Sequence, residues 1–298
     1  RVLFRSWWTI WDETVPKHKN LIISNIDRSG EPAFMYRDIF DCLIPWPKEF
    51  YARNRVNGEF SGIPLEYGDT VKYGPPAHVH TFNRYFPPES FFEAHPDWFA
   101  LTGGKRNPDG QLCLTNKELF NAWVDKMKYY IASSYADADK KCVDRPLYFS
   151  ISQNDFLGNC ECDSCKAVYE RDNPSGLSLT FVNSVAAEIE KDFPNVMVDT
   201  LAYSFYQEAP KNVKPRDNVR IRLCDAGEDV THGITHKNNK DGLRRLDEWS
   251  KITKHLAVWK YGVVYSPNLP TPSQFYYSND VKAYKAHGVE GVFVRSEE

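Results

Sequence analysis

Short apolar segments alternate with amphipathic helical patterns along most of this chain, and this alternation constrains its fold more than any other sequence feature. Because helices separate consecutive strands, we expect the strands to run parallel, with the helices crossing over the sheet. Eight strands, with no glycine-rich dinucleotide fingerprint among them, predict an α/β fold of the (β/α)8 TIM-barrel type. The eight candidate strands are Phe34–Phe40, Arg53–Asn57, Val79–Asn83, Leu147–Asp155, Val196–Tyr203, Val219–Cys224, Leu256–Tyr261 and Val289–Arg295.

Start and stop signals place the intervening helices. Thr115 and Glu118 fit a capping box at the start of a helix before the fourth strand. The next helix is predicted to begin at Ser178 and to end at Pro194. Two further helical patterns lie around residues 243–249 and 281–285, so that each of the last strands is preceded by a helix.

Two domains of unequal size are expected. Residues 1–30 are predicted to be the tail of a small N-terminal α/β module, because short β-like runs there lead into the turn signal of residues 27–30. Residues 31–298 would form the barrel without its last helix, since the chain stops after the eighth strand. We therefore expect a piece of a longer protein, in which the lack of a signal peptide carries no information about location.

Charge and composition narrow the function classes. The net charge of −3 and the pI near 6.3 argue against a nucleic-acid binder that relies on phosphate contacts. No apolar run reaches the roughly 18 residues that a membrane span needs. Aromatic residues make up 14% of the chain, which suits either stacking surfaces for sugar rings or a large aromatic core.

Polar and aromatic residues gather where the predicted strands end, the place where barrel enzymes carry their chemistry. Carboxylates, amides and aromatic rings dominate there, an inventory that suits carbohydrate binding and glycoside cleavage. Helix capping and buried hydrogen-bonded histidines are competing structural roles for each of these residues. The candidate substrate-binding residues are Arg37, His80, Asn83, Gln153, Tyr203, Trp259, Tyr261 and Glu297.

The segment Gln153-Asn154-Asp155 ends the fourth strand and is the sharpest of these signals. An acid beside an amide suits substrate-assisted cleavage of an N-acetylated sugar, in which the acetamide oxygen of the substrate attacks the anomeric carbon. Such an enzyme needs one group to polarise the acetamide and one general acid for the leaving oxygen. Because adjacent strand residues face opposite ways, both could serve only if the strand bends there.

Seven cysteines cannot all pair within the chain, and three of them form the spacing C-x-C-x-x-C at Cys160, Cys162 and Cys165. We expect these three to share one site, with Cys224 at the end of the sixth strand as a fourth ligand. A structural Zn²⁺ and a local disulfide are both open, and reduced buried thiols are a further alternative. No cofactor is expected for catalysis.

Several motifs together resemble a bacterial domain of unknown function common in gut Bacteroidetes, which is similar to glycoside hydrolase family 163. The resemblance extends from about Thr14 to the end of the chain. It is carried by residues 31–37, 79–83, 95–101, 111–116, 148–155, 160–165 and 219–224.

The resemblance implies an endo-β-N-acetylglucosaminidase that cuts within the chitobiose core of N-glycans on glycoproteins by a retaining, substrate-assisted mechanism. Carried over residue by residue, Asp155 matches the acidic position and Asn154 its neighbour, whereas Glu228 matches a second acidic position with altered spacing. The resemblance also implies a hexosaminidase-like barrel, an upstream module and a periplasmic, cell-surface or secreted location.

Other functions are open at this point. An exo-acting glycosidase or one for uronic acids would use arginines near the strand ends, namely Arg37, Arg222 and Arg295, unless these pair with neighbouring carboxylates. A non-catalytic glycan-binding barrel would lack a pair of facing carboxylates in its cleft.

Overall fold

The computed structural model describes residues 19, 20, 22, 27, 29–40, 47–262 and 275–295. Its main strands are β1 Tyr36–Phe40, β4 Tyr148–Ser150, β5 Met197–Ala202, β6 Val219–Cys224, β7 Leu256–Tyr261 and β8 Val289–Arg295. They form one curled sheet of six parallel strands in the order β1-β8-β7-β6-β5-β4. A separate antiparallel hairpin pairs β2 Leu101–Thr102 with β3 Lys105–Arg106.

Helices connect the strands of the curled sheet. They are α1 Lys48–Arg53, α2 Phe82–Tyr85, α3 Pro88–Phe91, α4 Lys117–Lys141, α5 Asp163–Arg171, α6 Pro174–Glu190, α7 Lys240–Ile252 and α8 Tyr277–Ala286. Single 3-10 turns occur at Leu65–Tyr67, Pro96–Trp98, Ser204–Tyr206 and Lys237–Asn239. Within the described residues, no helix is long and apolar enough to cross a membrane.

Two helix starts differ from the sequence prediction. Helix α4 is capped by Asn116, whose side chain accepts a hydrogen bond from the Leu119 amide, and not by Thr115. Helix α6 begins at Pro174 after the capping residue Asn173, so that Ser178 lies inside the helix. In both cases an asparagine satisfies amides that the first helical turn leaves without a partner.

Side chains of the strands alternate between two cores. Outward residues such as Phe149 and Val198 pack with Trp123 and Val182 of the helices in the main hydrophobic core. Inward residues form a second cluster in the interior of the curl. Its buried members are Tyr36, Tyr73, Tyr148, Leu201, Cys224, Trp259 and Phe293.

Irregular backbone links the two edge strands of the sheet. Beside β1, the Asn57 amide donates to the Arg37 carbonyl, and the Val71 amide donates to the Asn57 carbonyl, both at 2.8 Å. Beside β4, the Gly74 amide donates to the Tyr148 carbonyl at 2.7 Å. Tyr73 also forms an isolated parallel bridge with Tyr148. The described chain therefore crosses the gap between the edges by scattered bonds of this kind and not by regular strands.

The predicted second and third strands are wrong, and a complete eight-stranded barrel is not confirmed. Positive φ angles of +61° at Arg55 and +52° at His80 interrupt extended backbone in both segments. The fourth strand is also shorter than predicted and ends at Ser150. The domain boundary at residue 30 is not tested, because most of residues 1–28 lie outside the described residues.

Candidate active site

A row of side chains follows the carboxyl edge of the curled sheet. Arg295 lies in register with Phe40 on one side and with Tyr261 on the other. The Tyr203 phenol hydrogen bonds with the Tyr261 side chain and donates to Asp155 Oδ1 over 3.2 Å. These five residues are called the rim, and they place the exposed Asp155 at the carboxyl side of β4 and β5.

Aromatic rings line the space beside the rim. The Phe60 ring contacts the rings of Phe40, His78 and Phe293, with centroids 4.7, 4.6 and 5.4 Å away. Trp259 lies against Phe293 at 4.2 Å and is buried. The rim thus borders an aromatic surface, of which Trp259 forms the buried floor.

Polar groups beside the rim have hydrogen-bonding capacity left over. Gln153 donates from Nε2 to the Tyr203 carbonyl at 3.0 Å. The main-chain carbonyl oxygen of Gln153 lies 2.8 Å from Nδ1 of His80. Among the described residues, Gln153 Oε1, His78 Nε2 and Trp259 Nε1 are buried and lack a hydrogen-bond partner. Buried polar atoms without partners are costly, so a bound ligand or water is the expected partner at such positions.

Two titrating groups near the rim have shifted pKa values. Burial lowers the pKa of His78 to about 3, assisted by the charge of Arg222, so this imidazole is neutral at physiological pH. Burial, together with the nearby Asp155 carboxylate, raises the pKa of Tyr203, which keeps the phenol protonated as a donor.

Asn154 has no free amide group for a substrate. It is buried, and its Nδ2 donates to Asn83 Oδ1 at 2.8 Å and to the Gly110 carbonyl at 2.9 Å. Its Oδ1 accepts from the Asn83 amide at 3.0 Å. The Gln111 side chain accepts from the main-chain N–H of Asn154 and donates to its main-chain carbonyl. Asn154 and Asn83 therefore hold neighbouring loops in place and position the segment that carries Asp155.

The structure places the predicted residue Glu228 in an ion pair beside helix α7. Its side chain is 4% exposed, forms a 2.6 Å ion pair with Arg245 and lies directly against Gly242 of α7. Its predicted catalytic role stays a prediction. The predicted candidate Glu297 lies outside the described residues.

Arg37 is also placed away from the rim. It alternates along β1 with Tyr36 and Asp38, which hydrogen bond with each other, so its side chain leaves the opposite face. The guanidinium donates to the main-chain carbonyls of Phe34, Met35 and Arg55. In this structure Arg37 therefore holds neighbouring backbone in place, and its predicted substrate-binding role stays a prediction.

Arg222 is occupied within the interior of the sheet. Asp199 forms ion pairs with both Arg220 and Arg222, and Arg220 also stacks over the Tyr148 ring at 3.4 Å. The charges of the two arginines thus meet a fully buried carboxylate.

Four cysteines meet outside the sheet. The sulfur atoms of Cys113, Cys160, Cys162 and Cys165 all lie within 4.8 Å of one another. Cys224, which was predicted as the fourth member, lies instead in the interior cluster with Trp259 and Phe293. The predicted clustering of the C-x-C-x-x-C motif is found, and the fourth cysteine is corrected to Cys113.

Sequence reasoning missed several residues of this region. Phe60 and Gln111 stand in loops, with no strand end to mark them, and Cys113 stands 47 positions before Cys160. The only signal for Gln111 and Cys113 is that both fall in one of the motifs that carry the family resemblance.

A family model described as a domain of unknown function, DUF4838, matches residues 7–298, so the chain belongs to that family. No curated protein matches the chain. Among solved structures, the chain is similar to an O-GlcNAc hydrolase mutant of Thermobaculum terrenum, with 13% identity and a TM-score of 0.48. That match covers 89% of this chain and 56% of the other, so the chain spans about half the length of that protein.

Two further solved structures are similar to the chain. The cellulose synthase subunit Z of Clostridioides difficile has 12% identity and a TM-score of 0.41, covering 89% of this chain and 92% of that one. The tandem GH20 catalytic modules of the pneumococcal exo-β-D-N-acetylglucosaminidase have 12% identity and a TM-score of 0.32, covering 70% of this chain and 50% of that one.

Proposed function

We propose that this member of the DUF4838 family is a glycoside hydrolase, and specifically an endo-β-N-acetylglucosaminidase that acts on the N-glycans of glycoproteins. The single observation that carries the proposal is the exposed Asp155 carboxylate, held by the Tyr203 phenol at the edge of an aromatic surface. The motif resemblance to glycoside hydrolase family 163 supports the choice of substrate. Export to the periplasm or the cell surface belongs to the same proposal.

The rim and the aromatic surface have complementary tasks in this proposal. The partly exposed Phe60 ring offers an apolar face on which a sugar ring can lie, above the buried Trp259, while His80 offers a polar contact to a hydroxyl or acetamide group. Tyr203 and Tyr261 fix the carboxylate through a chain of hydrogen bonds. Asn154 acts as a positioning residue behind Asp155.

Asp155 is proposed as the general acid of a retaining, substrate-assisted reaction. The acetamide oxygen of the bound sugar attacks the anomeric carbon, and the bond to the leaving oxygen breaks as Asp155 donates its proton to that oxygen. The cyclic oxazolinium product is then opened by water, which the Asp155 carboxylate deprotonates, so the enzyme returns to its starting state. Glu228 is not part of this scheme.

Mass analysis of glycans released from a complex N-glycoprotein tests the proposal. The wild-type chain should release glycans that end in a single N-acetylglucosamine, whereas Asp155→Asn should release almost none. Asp217→Asn provides a matched control, because Asp217 forms an exposed ion pair with Lys254. Binding of the glycan without release by the wild-type chain would instead show a glycan-binding protein.

A second candidate is a glycosidase for uronic acids, favoured by Arg295 in the rim between Phe40 and Tyr261. A guanidinium at that place could pair with a sugar carboxylate. Release of an aryl group from aryl glucuronides, but not from aryl N-acetylglucosaminides, would favour this candidate.

A further inference from the structure

The four clustered sulfur atoms have the spacing of a tetrahedral metal site. The Sγ atom of Cys113 lies 3.7 Å from that of Cys162 and 4.0 Å from that of Cys165. Four thiolates bound to Zn²⁺ at about 2.3 Å stand about 3.8 Å apart. These two distances are too long for a disulfide, in which the sulfur atoms are about 2.05 Å apart, and all four cysteines are free in this structure.

The ligand set is closed and protected. Cys113, Cys160 and Cys165 are buried, and Cys162 is half-buried. Cys113 comes from the loop before α4, whereas the other three come from the loop after β4 and the first turn of α5. Four thiolates leave no open coordination position, which is the pattern of a structural zinc and not of a catalytic one.

Hydrogen-bond donors and one cation surround the sulfur atoms. The Leu101 amide donates to Cys160 Sγ at 3.4 Å, and Thr115 Oγ1 lies 3.3 Å from Cys165 Sγ and 3.5 Å from Cys113 Sγ. The Arg106 guanidinium hydrogen bonds to Cys113. Such outer contacts orient thiolate ligands, and the guanidinium offsets part of the −2 charge of a Zn²⁺ bound to four thiolates.

We propose that Cys113, Cys160, Cys162 and Cys165 bind one structural Zn²⁺, which clamps the loop after β4 to the loop before α4. The same two loops are joined by Gln111, whose Nε2 donates to the carbonyls of Asn154 and Phe156 at 2.9 Å. Contacts between the two loops therefore lie on both sides of Asp155. Gln111 bonds to the residue before it and to the residue after it, and the first metal ligand of this loop, Cys160, comes five residues later. This positioning effect on Asp155 rests on the proposed function, whereas the metal site itself does not.

Metal content and Co²⁺ substitution test the site without any activity assay. The chain produced with zinc should hold one Zn²⁺, and Co²⁺ in its place should give the strong visible absorption of tetrahedral thiolate coordination. Cys113→Ser should remove most of the metal, whereas Cys224→Ser and Cys142→Ser should retain it. Cys142 is an exposed cysteine outside the cluster.

Thr115→Val is a second test of the site, in case Cys113→Ser fails to fold. It keeps all four sulfur atoms and removes one outer contact, so metal affinity should fall about 10–100-fold, as measured by competition with a chromogenic chelator. Hydrogen exchange of residues 155–162 should quicken when the metal is removed. A protein free of metal with these cysteines in disulfides, or loss of metal in Cys224→Ser but not in Cys113→Ser, would overturn the proposal.

Discussion

At the scale of the residue, Asp155 is the side chain on which the proposed chemistry depends. Asp155→Asn keeps the shape of the side chain but cannot donate a carboxyl proton, so kcat on the natural glycan should fall about 10²–10⁴-fold. Glycan affinity, measured by calorimetry, should change little.

The leaving group distinguishes the two roles that Asp155 could have. If Asp155 is the acid, an aryl glycoside with a very good leaving group should recover much of the lost rate in Asp155→Asn. If it instead polarises the acetamide, the same substrate should not recover it. Unchanged activity of this variant on the glycoprotein would contradict both roles.

Asp38 carries the second prediction for a single residue. It accepts hydrogen bonds from the Tyr36 phenol and from the Phe60 and Ser61 amides, yet burial raises its pKa to about 6. Between about pH 4 and 6, the folded protein therefore keeps a proton on Asp38 that the unfolded chain has lost. Stability contributed by this group is present below about pH 4 and is lost as the pH rises to about 6.

Chemical denaturation across this pH window measures the effect. Asp38→Asn should flatten the fall in unfolding free energy between about pH 4 and 6, by up to about 3 kcal/mol. Asp217→Asn is the surface control, since Asp217 lies in an exposed ion pair, and should leave the slope in this window unchanged. An equal slope in Asp38→Asn and the wild type would contradict the assigned pKa.

At the scale of the element, Asn154 connects the end of β4 to two loops. Asn154→Ala leaves the Asn83 amide and the Gly110 carbonyl without partners in a buried place, and should lower the unfolding free energy by about 1–3 kcal/mol. Asn183→Ala is the matched control, because Asn183 also bonds to main-chain groups but at an exposed position. Equal losses in both variants would argue against a special role for Asn154.

Gly74 lies in the irregular segment that packs against β4 between the two sheet edges. A Cβ atom at this position would lie 2.0 Å from the Phe149 ring, because the segment presses directly against β4. Gly74→Ala should therefore cost about 1–3 kcal/mol of stability in urea denaturation. Gly30→Ala, which meets open space, should cost far less, and a neutral Gly74→Ala would show that the segment does not pack there.

At the scale of the whole molecule, the cysteine cluster joins loops that belong to different parts of the chain. If the cluster binds Zn²⁺, the protein at a free Zn²⁺ concentration about 1,000-fold above Kd should have a higher free energy of unfolding than the chelator-treated protein. The expected difference is about 4 kcal/mol. Differential scanning calorimetry should show a lower Tm that Zn²⁺ restores. An unchanged Tm in protein that has demonstrably lost its metal would argue against a stabilising role.

Local patterns in the sequence determined the order of strands and helices over much of the chain. The apolar runs of β5 to β8 lie where they were predicted, because a short apolar run bounded by helix and turn signals is a property of neighbouring residues. The same holds for the place of Asp155 after β4 and for the shared site of the closely spaced Cys160, Cys162 and Cys165.

Only the tertiary structure decided which distant residues meet. Cys113 joins a cluster that begins 47 positions later in the chain. The Asn154 side chain donates its hydrogen bonds to Asn83 and Gly110, and Glu228 forms an ion pair with Arg245 beside α7. Turns with positive φ at Arg55 and His80 replace two predicted strands with irregular links. Such outcomes depend on loop paths and on competition for hydrogen-bond and charge partners across the fold, which no periodicity within a short segment encodes.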